Sequence, residues 1–587
     1  MCGMVTNSKR LISITDGNLR HNHLYISGYH DFFPDECYGE STAAKGTGRK
    51  ITLIVEGLRQ TVETDIARSN SNGRPRNFFR KRAWVKEFLK YHGLRQGDVV
   101  TIEQLDRFTY RVYPSKGRSI GRQAPETTTH ERAEVHQQAA LFPHIVTSTD
   151  RKNRSGFGDS ASAKNRGEPL HRWVPWIAGF SAAFVDKVFQ SCIPGDPTMV
   201  TVLDPFAGVG TTLVEGLMRG YTVLGFEINP YAALACELKL SSVRHRAKLL
   251  SEVVSKLEDL SNTGLGRTLT PKSRPPSGFR SRIRFFSPAI EHDVLLIQDF
   301  IYEQQNPFVR KALKVALGAV MVSFSNYSYE PSLSTRSAAG KPHIDHADVF
   351  GIFCDKVREI EADIRLLQRH MRRFERRPEA TVYQCSYLHH ARVVSPASVD
   401  IVITSPPYLN NYHYVRNTRP QLYWLGLAPG NAQLKKLEQE NFGQFWQTVR
   451  TGPPIGLLFE LPELSHVVDT IRKRNPEKGV YGGAGWANYV ATYFNDCYKF
   501  FEVTRRVMKP GGLVVVVIGN NIIQGVHVQT ERFLGQIAEM HGFSLQQMHR
   551  VREKRTGSSI VNSSVRAGLT KKPTPLYETA VEFRTPR

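Results

Sequence analysis

Close cysteine pairs are absent. The seven cysteines, at positions 2, 37, 192, 236, 354, 385 and 497, lie scattered through 587 residues. That spacing excludes a disulfide framework and a Cys-x-x-Cys zinc site; no metal is expected, and a reducing compartment is. No apolar run reaches the length of a membrane span, and no signal-type h-region opens the sequence, so a cytoplasmic, nucleoid-associated protein is expected. Acidic residues are in deficit: 54 Asp and Glu against 78 Lys and Arg leave a net charge of +24. A surplus of that size points to a polyanionic partner, most simply nucleic acid. At this length one ordinary core is exceeded, and two to four domains are expected.

Two stretches organise what is present. Asp204-Pro205-Phe206-Ala207-Gly208-Val209-Gly210-Thr211-Thr212 follows the apolar run 199–203 and precedes a helix start at 213–219. A strand, a Gly-rich turn and a helix make a nucleotide-type site: the glycines permit close backbone approach, and the helix N-terminus offers free N–H groups to an anion. No Gly-Lys-Ser/Thr follows, which excludes a P-loop. The next strand, 221–227, ends in Glu227, placed to accept hydrogen bonds from the two hydroxyls of a ribose. The second stretch is Thr404-Ser405-Pro406-Pro407-Tyr408, at the end of the strand 399–404. Two prolines fix the backbone and remove two donors. A rigid ledge of carbonyl acceptors, one hydroxyl and one aromatic face remains, suited to a flat ring carrying an exocyclic amine.

Together, Asp-Pro-Phe-x-Gly-x-Gly-Thr-Thr and Thr-Ser-Pro-Pro-Tyr resemble the motifs of the amino-methylating DNA methyltransferases, over about residues 165–587. The resemblance implies an α/β fold with a Rossmann-like sheet and helical insertions, and S-adenosyl-L-methionine as cofactor. It implies cofactor contacts from Asp204, Pro205, Phe206, Gly208, Gly210, Thr211, Thr212 and Glu227. Ser405, Pro406, Pro407 and Tyr408 would carry the reaction. The Ser-Pro-Pro-Tyr form resembles the cytosine-N4 members, so transfer to N4 of a flipped cytosine is expected. A cytosine-C5 enzyme would need a Pro-Cys nucleophile, and no Pro-Cys pair occurs. In the family an acid usually follows the strand before the catalytic motif and holds the adenine amino group. Here the strand 380–384 runs into Cys385-Ser386, and Ser386 is the candidate substitute.

Residues 1–22 read as a tail and 23–116 as a β-rich domain, with strands at 51–55, 61–64, 99–103 and 109–113 and a helix at 83–92 stopped by Gly93. Phe32-Phe33-Pro34, the strand at 51, Trp84 to Phe88 and Leu94 to Val100 resemble the B3-like pseudobarrel DNA-binding domains. Arg74, Arg76, Arg80, Lys81 and Arg82, interleaved with aromatics, are the candidate DNA contacts, without a division between phosphate and base. Residues 117–166 read as a polar linker. In the domain that follows, 167–587, Trp173, Trp176, Phe180 and Ser181 are candidates to line the methionine end of the cofactor. The insertion 240–380, helical at 232–260 and 289–323 and bearing Arg280, Arg282, Arg284, Arg336 and Lys341, is a candidate target-recognition lobe or a helical cap. Residues 409–417 are rich in aromatics and amides, 430–485 read as a DNA contact or lid, and 555–564 as a loop towards DNA or cofactor. Double-stranded DNA is the expected partner, with a separate restriction or defence nuclease. An adenine-N6 enzyme, an RNA amino-methyltransferase and a DNA-binding protein with an inactive methyltransferase fold are the alternatives.

Overall fold

The computed structural model divides the chain into two compact units, residues 1–128 and 129–587. It describes residues 9–15, 18–19, 22–26, 29, 32–40, 46–56, 61–69, 75–76, 78–96 and 98–114 of the first unit. Of the second it describes 162–176, 179–192, 199–262, 269–329, 332–409, 413–428, 430–554 and 576–587. Arg74, nearly all of the 117–166 linker, residues 410–412 and the 555–564 loop lie outside these. Among the described residues no helix is long and apolar enough to cross a membrane.

The first unit is a five-stranded sheet in the spatial order Lys9–Ser13, Val99–Gln104, Thr109–Pro114, Ile51–Val55, Val62–Thr64. The hairpin expected from 99 to 113 is present, with Val100 opposite Pro114. The tail assignment is corrected: Lys9–Ser13 pairs antiparallel with Val99–Glu103. Its alternation sends Ile12 inward and leaves Leu11 58% exposed, so too few apolar residues mark it as a strand. The helix Ala83–Tyr91 buries Trp84, Val85, Phe88 and Leu89 in the same core as Phe32, Phe33 and Tyr110.

The second unit is built on seven strands: β1 (Thr201–Asp204), β2 (Thr222–Phe226), β3 (Ala380–Tyr383), β4 (Val399–Thr404), β5 (Met508–Gly519), β6 (Ser544–Lys554) and β7 (Leu576–Arg584). Their order is 3-2-1-4-5-7-6, all parallel except β7. This is a mixed α/β sheet of Rossmann type. Its order reverses between β1 and β4, the switch point where such sheets open a crevice at the strand ends. Alternation along β5 shows both faces covered: Leu513, Val515 and Val517 join one core, Val514, Val516 and Ile518 the other.

Helices α1 (Ala182–Cys192), α2 (Thr211–Met218), α3 (Pro230–Ser241), α4 (Lys248–Asn262), α5 (Pro288–Glu303), α6 (Pro307–Val320) and α7 (Val349–Met371) bury their apolar faces in the first of these cores. Helices α8 (Asn431–Glu440), α9 (Gly483–Val507) and α10 (Thr530–Met540) come later in the chain. Of these, α9 and α10 pack on the other face. The starts of α3, α5 and α6 share one local cause. Asn229, Ser287 and Asn306 cap with their side chains, and proline occupies the first turn, where its missing N–H costs nothing.

Several expected elements shift. The helix at 232–260 is two helices, because Ser242–Arg244 tightens into a 3-10 turn. The insertion 240–380 is largely a cap over the sheet, with Tyr327–Tyr329 and Leu333–Thr335 forming a hairpin on it. β5 follows α9 without a break, so Lys509 to Gly512 belong to the strand. Residues 430–485, the candidate DNA contact or lid, contain the helices Asn431–Glu440 and Pro462–Arg472.

One long-range clamp organises the start of this unit. Asp363 of α7, fully buried, accepts hydrogen bonds from Leu170 N (2.8 Å), Trp173 Nε1 (3.0 Å) and Arg172 Nε (3.1 Å) and Nη2 (2.5 Å). Four donors satisfy a carboxylate that burial would otherwise make costly. Asp363→Ala strands those donors and should cost about 3 kcal/mol of stability. Asp363→Asn, which keeps one acceptor, should cost clearly less; denaturant unfolding of the two variants checks this order.

Candidate active site

The carboxyl ends of β3, β2, β1 and β4 open onto one cleft of about 950 Å3, part of it open to solvent. The four strand ends contribute in sheet order. Cys385 to Leu388 follow β3, Phe226 to Asn229 close β2, Asp204 to Val209 and Thr211 follow β1, and Ser405 and Pro407 follow β4. The Gly-rich turn and the Ser-Pro-Pro-Tyr ledge, two hundred residues apart in sequence, thus face the same space.

Two hydrogen bonds stitch them together. Thr404 Oγ1 donates to Asp204 Oδ1 at 2.6 Å, and Thr212 Oγ1 donates to the Ile403 carbonyl at 3.2 Å. Asp204 also accepts from Phe206 N at 3.0 Å, which shapes the first bend of the turn. Burial pushes the Asp204 carboxyl up to about 6, and the bonds from Thr404, Phe206 and Thr212 hold it from rising further.

The turn itself requires glycine at two places. Gly208 and Gly210 have φ of +52° and +86°, a region that side chains strain. A Cβ on Gly210 would also lie 2.5 Å from the Cys236 sulfur of α3. Beneath the turn, Lys239 of α3 is fully buried and donates its ammonium to the Val209 carbonyl at 2.8 Å; burial pushes it down to about 8.

Glu227 sits half-buried at the end of β2. Its Oε2 accepts from Gly208 N at 2.8 Å and its Oε1 from Asn229 N at 2.7 Å, so the carboxylate is tied to the Gly-rich turn. Burial pushes it up to about 7 against these bonds. Both oxygens keep lone pairs for hydroxyl donors in the cleft.

Of the residues named from sequence, Asp204, Pro205, Phe206, Gly208, Thr211, Glu227, Ser386, Ser405 and Pro407 line the cleft; Gly210, Thr212, Pro406 and Tyr408 stand behind the lining. Gly210 and Thr212 serve by shaping the turn and tying it to β4. The Tyr408 ring lies against Gly519, where an added Cβ would be 3.2 Å away, and its hydroxyl engages Ser405. Trp176 and Phe180 reach the cleft. Trp176 lies over Gly208 and stacks on Tyr414, ring centres 6.0 Å apart. Trp173 instead is a core residue held by Asp363, and Ser181 caps α1 through Phe184 N. Leu437, Glu440, Asn441 and Phe442, at and just after the end of α8, also line the cleft and were not expected there. Nothing in their spacing could have signalled it; a carboxylate and an amide beside Leu437 and Phe442 resemble any helix end.

In the first unit, Lys81 and Arg82 are exposed, and Arg82 lies over the Phe78 ring and against His23. Arg80 is turned inward: it donates to Asp65 Oδ1 and to the Glu40 carbonyl, both at 2.7 Å. Arg76 is half-buried, its backbone N–H bonded to the Ala67 carbonyl.

No protein-family model matches the chain. Curated relatives do. The Type II methyltransferase M.BsoBI of Geobacillus stearothermophilus is 24% identical over 472 residues, covering 73% of this chain and 88% of its own. M.AvaI of Nostoc sp. is 23% identical over 413 residues, covering 65% and 81%. M.MvaI of Kocuria varians, also a Type II methyltransferase, is 23% identical over 384 residues, covering 64% and 82%. Among solved structures, an rRNA methyltransferase, aviRa from Streptomyces viridochromogenes, aligns at 11% identity over 75% of this chain and 96% of its own. Its TM-score of 0.24 is too low to bear on the fold. The sequence similarities support a methyltransferase.

The Thr404–Asp204 bond carries a pH signature. Asp204 has its folded pKa raised from 3.8 to about 6, so between those values the folded state holds a proton that the unfolded state lacks; this group's contribution to stability falls as pH rises through that window and is level above about pH 6, where the carboxylate is ionised in both states. Thr404→Val removes a donor to the ionised form. It should destabilise by about 1–3 kcal/mol at pH 8 and by clearly less at pH 5, as read from unfolding curves at the two values.

Proposed function

We propose that this chain is an S-adenosyl-L-methionine-dependent DNA methyltransferase acting on the exocyclic N4 of a cytosine swung out of the duplex, within a restriction–modification or defence system whose nuclease is a separate polypeptide. One observation carries the proposal: Glu227, the Gly-rich turn and Ser405 and Pro407 of the ledge line a single cleft at adjacent strand ends. The likeness to Type II methyltransferases supports the DNA target, and the Ser-Pro-Pro-Tyr form supports cytosine.

The residues present fit the cofactor. Glu227, its oxygens fixed by Gly208 and Asn229, would hold the ribose hydroxyls. Trp176 and Phe180 would flank the methionine end, and Phe206 and Ser386 the purine end. When bound, S-adenosyl-L-methionine supplies a methyl group activated by a sulfonium.

The ledge does the rest. Ser405 Oγ and the Pro406 carbonyl accept hydrogen bonds from the target amine and draw its lone pair out of conjugation with the ring. Pro406 and Pro407 offer no competing N–H, so the ledge presents acceptors alone. Thr404, held to Asp204, fixes the distance between ledge and turn, which is the orientation an in-line transfer needs. No side chain forms a bond to the base. Extrusion costs about a few kcal/mol, offset by phosphate contacts. Exposed Arg280 and Arg282 of the insertion, and Lys81 and Arg82 of the B3-like first unit, are the cations for that role, with Arg80 bracing the segment of the latter two.

Nucleoside mass spectrometry after incubation of DNA, and of RNA in parallel, with labelled methyl donor should find N4-methylcytosine in DNA. N6-methyladenine would move the target while keeping the ledge; label in RNA alone, or none, would overturn the DNA reading. Ser405→Ala should lower kcat about a hundredfold with cofactor affinity unchanged.

Cofactor affinity should itself depend on pH. Glu227 must be ionised to accept two hydroxyl donors, and its pKa stands raised to about 7. Binding should therefore weaken below about pH 7, approaching about tenfold per unit. Glu227→Gln should bind weakly with a flat profile; isothermal titration from pH 5.5 to 8.5 reads both.

A further inference from the structure

The strand order fixes which way a nucleoside must lie in the cleft. Its ribose belongs at Glu227, at the end of β2, and its reactive group must face Ser405, at the end of β4 on the far side of β1. The heterocycle therefore extends the other way, past β2 to the end of β3. That end supplies Cys385, Ser386, Tyr387 and Leu388, and no carboxylate. Facing it across the cleft are Glu440, Asn441 and Phe442.

These three belong to a segment that is held firmly. The Phe442 ring meets the Phe206 ring edge-on at 5.0 Å. Gly443 N donates to Oδ2 of half-buried Asp496 of α9 at 2.8 Å. Gly443 has φ of +71°, and a Cβ there would lie 2.5 Å from Tyr493. Asn441 uses its amide within the segment, donating to the Phe442 carbonyl at 2.9 Å. Glu440, the last residue of α8, lines the same cleft as Cys385 and Ser386 at the β3 end; burial raises the Cys385 thiol pKa and the Glu440 charge adds to it. Lys436, one helical turn back, is ion-paired with Glu440 at 3.8 Å from Oε1, a separation beyond hydrogen bonding that leaves the carboxylate's acceptor positions open. A carboxylate with open acceptor positions at the purine end of a nucleoside cleft selects for an exocyclic N–H donor.

We propose that Glu440 is the acceptor for the 6-amino group of the cofactor's adenine, supplied across the cleft from α8 where β3 carries no acid. The assignment rests on the cofactor reading above. It makes Glu440 a specificity residue, one that favours adenine and disfavours a 6-oxo purine, whose carbonyl would meet the carboxylate head-on.

The test is binding, by calorimetry on the full chain, of S-adenosylhomocysteine and of its 6-oxo counterpart S-inosylhomocysteine. The wild-type protein should prefer the adenine ligand by about 30-fold or more, the worth of one hydrogen bond to a charged group. Glu440→Gln can donate to a 6-oxo group. It should bind the inosine ligand more tightly than the wild type and shrink the ratio to about threefold or less. A gain of binding cannot come from misfolding. Glu440→Gln weakening both ligands alike, or changing neither, overturns the proposal. So does a ratio that collapses in Ser386→Ala instead, which would assign the amino group to Ser386. A wild type that binds neither ligand fails at the cofactor reading itself, an outcome distinct from failure at Glu440.

Discussion

The hydrogen bond from Thr404 to Asp204 is the contact on which the second unit's chemistry depends. It joins the last residues of β1 and β4, the two strands on either side of the point where the sheet order reverses. Every other piece of the cleft refers to it. The Gly-rich turn bends from Asp204, Glu227 is tied to that turn through Gly208, and the Ser405 ledge begins one residue after Thr404. A buried carboxyl is a costly choice for such a joint. It is tolerated because Thr404 and Phe206 donate to it, and those same donors fix the joint's geometry.

Around this joint the chain uses buried charge as scaffolding. Lys239 holds the turn from below, and Asp363 gathers the segment that carries Trp176 towards the cleft. His171, Glu215, Arg219 and Asp186 continue the network behind α2. In each case one polar group organises backbone or side chains distant in sequence, work that apolar packing performs with less directional precision.

Much of this is legible in the amino-acid sequence. The strand 399–404 matches its sequence bounds residue for residue, because an apolar run ends at two prolines that cannot continue the ladder. The Gly-rich turn and Glu227 were legible because their chemistry is local: positive φ, a helix start, an acid at a strand end. What escaped was non-local. Asp363 meets its partners across about 190 residues, and Glu440 joins Ser386 in one cleft lining through a segment that α9 anchors at Gly443. Lys9–Ser13 escaped because an edge strand of five residues buries too few side chains to show a period. Arg80 looked like its basic neighbours; its contacts with Asp65 and the Glu40 carbonyl distinguish it.

The order 3-2-1-4-5-7-6 also bears on how the molecule is made. β7 lies between β5 and β6 although it is synthesised after both. Until Leu576–Arg584 has left the ribosome, β6 has no neighbour and β5 presents an open apolar edge that includes Val514 to Ile518. Vectorial folding can complete the Gly-rich turn and even the ledge early, but the sheet that holds them stays unsealed to the end of that interval. The nascent chain thus passes through a stage with its reactive cleft assembled and its β-edge exposed, the stage at which a chaperone or a second nascent copy would find it.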